Sequence, residues 1–164
     1  MRDGFIKTAV MTPKIKVADC VYNAGQICQE LEAALAAGAK IIVFPELSLT
    51  GYTCGDLFWQ ETLLEAAREG LLKVMESTKG QEALVFAGLP WEKDGKLYNA
   101  AAVLWDGKLL GLVPKRFLPN YSEFYEARHF TPGNEKPDMG EFHGKQVPFG
   151  SKLLFSCPDM PGLC

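Results

Sequence analysis

The spacing of apolar residues near the start of the chain predicts an amphipathic helix. Four apolar residues recur at intervals of three or four positions: Ala24, Ile27, Leu31 and Leu35. Asp19 precedes this stripe and can cap the helix, because its carboxylate can accept hydrogen bonds from the free backbone amides of the first turn. Gly38 follows the stripe and is suited to end the helix.

Two strands and a second helix complete the first half of the pattern. Residues 5–10 predict a short strand, and the sequence KIIVF at 40–44 predicts a strand that is buried on both faces. A helix is expected from about Leu57 to Ser77, with Gly80 closing it. The order strand, helix, strand, helix is typical of an α/β unit.

The second half of the chain changes from helical spacing to strand-like runs joined by tight turns. The runs occupy residues 83–92, 96–105 and 108–113. Asp94-Gly95 and Asp106-Gly107 separate them, and Asp-Gly is a strong signal for a two-residue hairpin. An antiparallel meander that follows α/β units predicts a mixed sheet with helices stacked on one face.

The end of the chain departs from this regular pattern. Prolines, glycines and charged residues dominate Thr131–Pro148, which predicts a long loop. The sequence SKLLFSC at 151–157 predicts one last strand. The sheet pattern then stops at Cys164 without a following helix, so we expect the chain to be the N-terminal part of a longer protein.

Composition and charge narrow the classes of function. A chain of 164 residues with 48% hydrophobic and 23% charged residues suits a single globular domain. Its formal net charge of −3 offers no basic surface for nucleic acid or an anionic membrane. No apolar run approaches the roughly 18 residues that span a bilayer. The start, MRDGFIKTAV, lacks the apolar core of a signal peptide, which predicts a cytoplasmic protein.

Cysteines and histidines give no pattern typical of a metal site or a disulfide framework. The five cysteines include no CxxC pair, so we expect reduced thiols. They are Cys20, Cys28, Cys54, Cys157 and Cys164. The two histidines, His129 and His143, have no cluster of ligating residues around them, and no protein metal site is predicted.

Two charged residues stand where apolar strands are expected to end. Glu46 follows the strand at 40–44, and Lys115 follows the strand at 108–113. A carboxylate that is only hydrogen-bonded to the next turn and a solvated loop lysine are the plain alternatives. Open α/β sheets, however, bind ligands at the carboxyl ends of their strands. Together in a cleft, Glu46 could act as a general base and Lys115 could stabilise an oxyanion.

A third stretch, residues 116–133, mixes aromatic and charged side chains. Tyr121 lies here with four phenylalanine and tyrosine neighbours, and Glu126 and Arg128 lie among them. The stretch can be a surface segment whose aromatics fill the core, with solvated charges between them. It can also form a pocket for a small substrate that carries both charges.

Three motifs in this order resemble the nitrilase superfamily of carbon–nitrogen hydrolases: FPELSLTGY at 44–52, VPKRFLP at 113–119 and FYEARHFTPG at 124–133. The longer sequences TGYTCGDLF and LPNYSEFYEARHF are similar to the N-terminal glutaminase domain of glutamine-dependent NAD synthetases. The resemblance covers essentially the whole chain. It implies an α/β fold, the nitrilase-like α-β-β-α sandwich with mixed sheets, of which residues 1–164 are the N-terminal portion.

The family uses a Glu–Lys–Cys triad, and the resemblance assigns two of its members here. Glu46 matches the general base, and Lys115 matches the lysine. Glu126 matches a second glutamate that orients this lysine. Tyr52 and Tyr121 fall in motif segments that line the pocket, which implies contact with the substrate.

The third member of the triad, the nucleophilic cysteine, has no match in this chain. In the family it precedes acidic residues and an aromatic residue, and no such segment occurs here. Cys164 lacks the following turn whose amides could form an oxyanion hole, so we expect it not to be the nucleophile. Cys20 and Cys28 are expected in the first helix, Cys54 in the pocket wall or without a role, and Cys157 at the last strand.

The resemblance implies that the complete enzyme hydrolyses glutamine and passes ammonia to a second, synthetase domain. That domain, absent from this chain, would use ATP and magnesium to amidate nicotinic acid adenine dinucleotide to NAD. No cofactor is expected in the present chain, whose partners would be glutamine, the linked synthetase domain and further copies of itself. By itself the chain is expected to be inactive.

Two alternatives remain open from the sequence. One is a stand-alone amidase or carbamoylase of the same superfamily, which the DLF at 56–58 argues against. The other is a catalytically inactive chain that only binds a partner or takes part in assembly, as the missing nucleophile would suggest.

Overall fold

A computed structural model describes residues 5–157 of the protein. These residues form a seven-stranded mixed sheet with two long helices. The strands are β1 (Thr8–Val10), β2 (Ile41–Val43), β3 (Leu84–Lys93), β4 (Lys96–Trp105), β5 (Lys108–Pro114), β6 (Asp138–Phe142) and β7 (Lys145–Phe149). The helices are α1 (Cys20–Ala36), α2 (Glu61–Ser77) and the short α3 (Glu126–His129), with a 3₁₀ helix at Gly55–Trp59.

The order of the strands brings the ends of β2 and β5 to the same edge of the sheet. The order is β1-β2-β3-β4-β5-β7-β6. The first three strands are parallel, whereas β3, β4 and β5 form an antiparallel meander. Two successive reversals make β5 parallel to β2, so both strands have their carboxyl ends on one side.

Helices α1 and α2 cover one face of the sheet, as the pattern predicted. Their apolar stripes share one buried cluster with alternate residues of β3 and β4. Val85, Leu89 and Trp91 of β3 belong to it, and the alternate residues Phe86, Gly88 and Pro90 point to the other face. The predicted cap of α1 is also confirmed, since Asp19 Oδ1 accepts a hydrogen bond from the Tyr22 amide at 3.0 Å.

Three hairpins have the same two-residue turn, and two of them were predicted. Asp94-Gly95 joins β3 to β4, and Asp106-Gly107 joins β4 to β5. Both residues of each turn have positive φ, which is the backbone that Asp-Gly favours. The third turn, His143-Gly144, joins β6 to β7 with the same signs of φ.

Three sequence predictions need correction. The loop expected at 131–148 contains the β6–β7 hairpin, which was missed because its strands are polar and its turn begins with histidine. The second helix begins at Glu61, because Gly55–Trp59 forms a separate 3₁₀ turn and Gln60 is extended.

The strand expected at 151–157 is the third correction, because this segment forms no strand. β7 already occupies the edge of β5, and the segment lies across β5 instead. The Leu153 and Phe155 side chains pack over Gly111, where an added Cβ would lie 3.0 Å from Leu153 and 3.2 Å from Phe155. None of the helices within residues 5–157 is long and apolar enough to cross a membrane.

Candidate active site

Glu46 lies in a tight turn just beyond the carboxyl end of β2. The Phe44 amide continues the pairing with β3 by donating to the Phe86 carbonyl at 2.9 Å. The chain then turns back, and the Leu47 carbonyl accepts hydrogen bonds from the amides of Thr50 and Gly51. In β2 only Ile42 is buried and Ile41 and Val43 are half-buried, so the predicted burial on both faces is incomplete within the described residues. The strand delivers the carboxylate of Glu46 to the edge of the sheet, with 46% of its side chain exposed.

The absence of a side chain at Gly88 of β3 allows this turn to lie directly on the sheet. A Cβ at Gly88 would come within 2.4 Å of the Pro45 oxygen and the Leu47 nitrogen, and within 2.6 Å of the Glu46 Cα. The Gly88 carbonyl also accepts a hydrogen bond from the Leu49 amide at 3.1 Å. The position of Glu46 therefore depends on a residue 42 places further along the chain.

Lys115 directly follows β5 and bridges two carboxylates. Its Nζ donates to Glu46 Oε2 and to Glu126 Oε1, each at 2.8 Å. Its backbone is fixed on both sides, because its amide donates to the Asn99 carbonyl at 2.7 Å and its carbonyl accepts from the Gly133 amide at 2.9 Å. The side chains of Glu46 and Lys115 therefore meet, although β3 and β4 lie between their strands, and the alternative of a solvated loop lysine is excluded.

Glu126 is the buried acid of the site, with 4% of its side chain exposed. It opens α3, which packs beside the 3₁₀ helix. The rings of Phe58 and Phe130 pack edge to face there, with centroids 5.0 Å apart, and help to place the carboxylate next to Lys115. Arg128 adds an exposed ion pair with Asp56 at 2.9 Å, which water screens.

Tyr52 joins the same network through its hydroxyl group, which donates to Glu126 Oε1 at 2.7 Å. Burial and this hydrogen bond to the carboxylate raise the pKa of Tyr52 well above its usual range, so the hydroxyl remains a donor. Burial opposes the charge of Lys115, but the hydrogen bonds to Glu126 and Glu46 outweigh it and raise the pKa of this lysine. Lys115 is therefore a cation at neutral pH.

Tyr121 lies apart from these four residues. Its side chain is exposed, and its ring packs against Phe124 with centroids 5.6 Å apart. Phe124 in turn packs edge to face on Tyr52 at 6.5 Å. The structure thus brings Glu46, Lys115 and Glu126 together with Tyr52, and it places Tyr121 at the outer end of an aromatic chain. Contact of either tyrosine with a substrate stays a prediction.

Asn99 is a member of the network that the sequence analysis missed. Its Nδ2 donates to Glu46 Oε2 at 2.7 Å, and the residue is 3% exposed. The only signal in the sequence is a lone amide in the apolar run LYNAAAVLW. That signal does not identify a partner 53 residues away.

Two buried polar atoms at this end of the molecule have no hydrogen-bond partner within the described residues. They are Glu126 Oε2 and His129 Nδ1. A buried carboxylate oxygen without a donor costs about 1–3 kcal/mol of stability. Such groups occur at functional sites, where stability is given up for reactivity.

Two of the cysteine thiols lie in surroundings that oppose formation of a thiolate. Burial raises the pKa of Cys20 to about 11 and also raises the pKa of Cys54. The Cys54 thiol is buried and donates to the Thr50 carbonyl at 3.2 Å. Cys164, which we expect not to be the nucleophile, lies outside the described residues. Residues 5–157 contain no cluster of three or more potential metal ligands.

A cavity within residues 5–157 lies away from this network. It has a volume of about 710 Å³ and is formed by α2, the β3–β4 hairpin and the β6–β7 hairpin, with Arg68, Trp91 and Lys93 among its lining residues. None of the predicted site residues lines it. The convergence of acids and lysine, not cavity size, marks the candidate site.

Comparison with known proteins gives the family. Residues 7–153 match the carbon-nitrogen hydrolase family. The glutamine-dependent NAD(+) synthetase of Mycobacterium tuberculosis is 36% identical over 159 residues, which are 97% of this chain and 23% of that protein. The synthetase of Aquifex aeolicus is 43% identical over 111 residues, which are 68% of this chain and 19% of that protein.

A solved structure agrees with this assignment. The glutamine-dependent NAD(+) synthetase of Cytophaga hutchinsonii superposes with a TM-score of 0.87 and 29% identity, covering 94% of this chain and 26% of that one. The chain thus spans about a quarter of the length of these relatives. The mixed α/β fold is confirmed, and the described residues supply one helical layer and one sheet of it. The chain belongs to the carbon–nitrogen hydrolase family.

Proposed function

We propose that this chain is the N-terminal part of the glutaminase domain of a glutamine-dependent NAD synthetase. The observation that carries the proposal is the meeting of Lys115 with two carboxylates at the strand edge, both at 2.8 Å. Relatives of that activity are 36% identical over nearly the whole chain, which supports the choice of glutamine over other amides.

Glu46 is the general base of the proposed reaction. A cysteine of the complete enzyme attacks the side-chain amide carbon of glutamine, and Glu46 accepts the thiol proton. The proton then passes to the leaving nitrogen, so ammonia departs and a thioester remains. Glu46 next takes a proton from water, which attacks the thioester. The second tetrahedral intermediate breaks its carbon–sulfur bond, Glu46 returns the proton to the departing sulfur, and glutamate and the thiol are released. The exposure of Glu46 leaves its carboxylate accessible to both proton donors.

Lys115 stabilises the oxyanion of each tetrahedral intermediate. An ammonium group has three N–H donors, and two of these are directed to Glu46 and Glu126. Within residues 5–157 the third makes no hydrogen bond, and in this proposal it donates to the oxygen on which negative charge develops. Glu126 orients the lysine from below, and Tyr52 holds Glu126 in turn.

The ammonia is used by a second domain of the same enzyme, in this proposal. That synthetase domain amidates nicotinic acid adenine dinucleotide to NAD with ATP and magnesium, so the present chain needs no cofactor of its own. We further propose a cytoplasmic location and a homo-oligomeric enzyme. The exposed position of Tyr121 suits a residue that contacts glutamine or a neighbouring segment at the pocket entrance.

The experiment compares two nitrogen donors in the full-length synthetase that carries Glu46→Gln. The substitution keeps shape and hydrogen bonding but removes proton transfer, which typically costs about 10²- to 10⁴-fold. NAD formation from glutamine should fall by that factor, whereas formation from ammonium salt should stay near the wild-type rate. The matched control is Glu32→Gln on the exposed side of α1, which should leave both rates unchanged.

Each result has a definite meaning for the proposal. A wild-type rate from glutamine in Glu46→Gln contradicts the role of the general base. Equal loss with both donors means that Glu46 serves the fold or the synthetase reaction. As a further arm, the 164-residue chain alone should release no ammonia from glutamine. Release that disappears in Cys164→Ala would identify that residue as the nucleophile and overturn its exclusion.

A further inference from the structure

Asn99 lies between the two strand ends that carry Glu46 and Lys115. It belongs to β4, which is hydrogen-bonded to β3 on one side and to β5 on the other. Its neighbours Tyr98 and Ala100 face the helices, so the Asn99 side chain projects from the opposite face of the sheet. Its side chain is buried there, next to the turn that holds Glu46.

Two donors converge on one oxygen of Glu46. Asn99 Nδ2 lies 2.7 Å from Oε2, and Lys115 Nζ lies 2.8 Å from the same atom. Within residues 5–157 the other oxygen, Oε1, accepts no hydrogen bond. The carboxylate therefore has one oxygen that is held and one that is available to a substrate or nucleophile.

This asymmetry requires Asn99, because Lys115 alone cannot produce it. The lysine ammonium sits on a flexible four-carbon stem and is shared with Glu126. A single donor also leaves the carboxylate able to rotate about its last bond. The side-chain amide of Asn99 extends from a buried strand, and the backbone carbonyl of Asn99 accepts a hydrogen bond from the Lys115 backbone amide at 2.7 Å. One residue thus sets the relative position of base and cation.

We infer that Asn99 is a positioning residue for glutamine hydrolysis, which holds Glu46 so that Oε1 exchanges the protons. The inference rests on the proposed function. It assigns to Asn99 an effect on turnover that acts only through Glu46, without contact to the substrate.

The test uses Asn99→Asp and Asn99→Leu in the full-length synthetase. Asp keeps the shape but cannot donate to Glu46, and Leu removes the polar group altogether. By analogy with residues that orient metal ligands, kcat with glutamine should fall about 10- to 100-fold. KM for glutamine should stay within about twofold, and NAD formation from ammonium should not change.

A buried polar side chain at the opposite end of the sheet provides the control. Thr78 is fully buried at the β4–β5 turn, where its Oγ1 donates to the Met75 carbonyl at 2.7 Å and accepts from the Gly107 amide at 2.9 Å. Thr78→Val should lower the melting temperature but leave kcat of the folded enzyme within about twofold. Loss of kcat equal to that of Asn99→Leu would show a general effect of removing buried polar groups and overturn the inference.

A double-mutant cycle shows whether Asn99 acts through Glu46. In the Glu46→Gln background, Asn99→Leu should cause no further loss of glutamine turnover, measured in single-turnover experiments. A further tenfold loss, a wild-type kcat in the single Asn99 variants, or equal loss with ammonium would each overturn the inference. A wild-type rate in Glu46→Gln alone would instead remove the proposed function, so the two failures are distinguishable.

Discussion

Two lysines of this protein each bridge two carboxylates, yet the two clusters are built in different ways. The site cluster consists of Lys115, Glu46 and Glu126. The hairpin cluster, at the β3–β4 turn, consists of Lys93, Asp94 and Asp138. One positive and two negative charges are present in both, so charge count alone does not separate them.

The clusters differ in how far the chain must fold to assemble them. In the hairpin cluster Asp94 is adjacent to the lysine in sequence. In the site cluster Glu46 lies 69 residues from Lys115 and approaches it only because β2 and β5 end at the same edge. Assembly of the site cluster therefore depends on the sheet from β2 to β5, whereas the hairpin cluster needs the β3–β4 turn and the start of β6, where Asp138 lies 45 residues from Lys93.

The clusters also differ in the burial of their acids, although the Lys93 side chain, at 13% exposed, is less exposed than that of Lys115, at 28%. The acids of the hairpin cluster are 79% and 63% exposed, so water screens them and their contribution to stability is small. Glu126 of the site cluster is 4% exposed, and its Oε2 lacks a donor within the described residues. Burying the Glu126 carboxylate in this way lowers the stability of the fold. A buried charge of this kind is typical of a functional site and not of a surface ion pair.

Lys115→Met and Lys93→Met should produce the largest contrast. Removing one group that stabilises an oxyanion typically lowers kcat about 10²- to 10³-fold. Lys115→Met should therefore lower NAD formation from glutamine by at least that factor in the full-length synthetase, and formation from ammonium should persist. Lys93→Met should leave both rates within about twofold, because its partners are exposed and solvated. Equal losses in the two variants would mean that the clusters have the same role.

Local signals explain why much of the fold was predicted. Asp-Gly turns and the capping carboxylate of Asp19 act within a few residues, so their pattern is visible in the sequence. The β6–β7 hairpin was missed because its turn begins with His143, which adopts a positive φ although histidine is not a typical residue for such a turn. The segment at 151–157 looks like a strand, but the place at the edge of β5 is taken by β7.

The site was predictable only as far as the family motifs extend. The residues that match motifs, Glu46, Lys115 and Glu126, do meet in the structure. Asn99 and Gly88 lie outside those motifs, and each acts on a segment more than 40 residues away. No local sequence pattern indicates such contacts. The residues that support the site could therefore be identified only from the three-dimensional structure.

Gly88→Ala should produce the second largest effect, now on stability. The new methyl group would meet backbone atoms at 2.4 Å, which cannot move aside as a flexible side chain can. Overpacking of this kind costs about 1–3 kcal/mol. The melting temperature should fall by roughly 2–12 °C in calorimetry, at about 2–4 °C per kcal/mol for a domain of this size or larger.

Gly25→Ala in α1 is the matched control for this substitution. The nearest atom to its added Cβ is Lys73 Nζ at 3.7 Å, and alanine is about 1 kcal/mol better than glycine inside a helix. Its melting temperature should not fall. Because Gly88 supports the Glu46 turn, Gly88→Ala should also lower glutamine turnover more than turnover of ammonium. Unchanged stability and turnover in Gly88→Ala would contradict the packing of the turn on β3.

Asp138→Asn should have the smallest effect, and one that depends on pH. Hydrogen bonds from Lys93 and from the Met139 amide hold the pKa of Asp138 below its usual range. Since the folded pKa is lower than the unfolded value of about 3.9, the stabilisation is fully present above that pH and is lost as pH falls through the folded pKa. The variant should therefore melt slightly below the wild type at pH 7, and the difference should shrink towards pH 3 and in high salt. A difference that persisted at pH 3 would show that the aspartate acts through packing, and the hairpin cluster would then resemble the site cluster more than its exposure indicates.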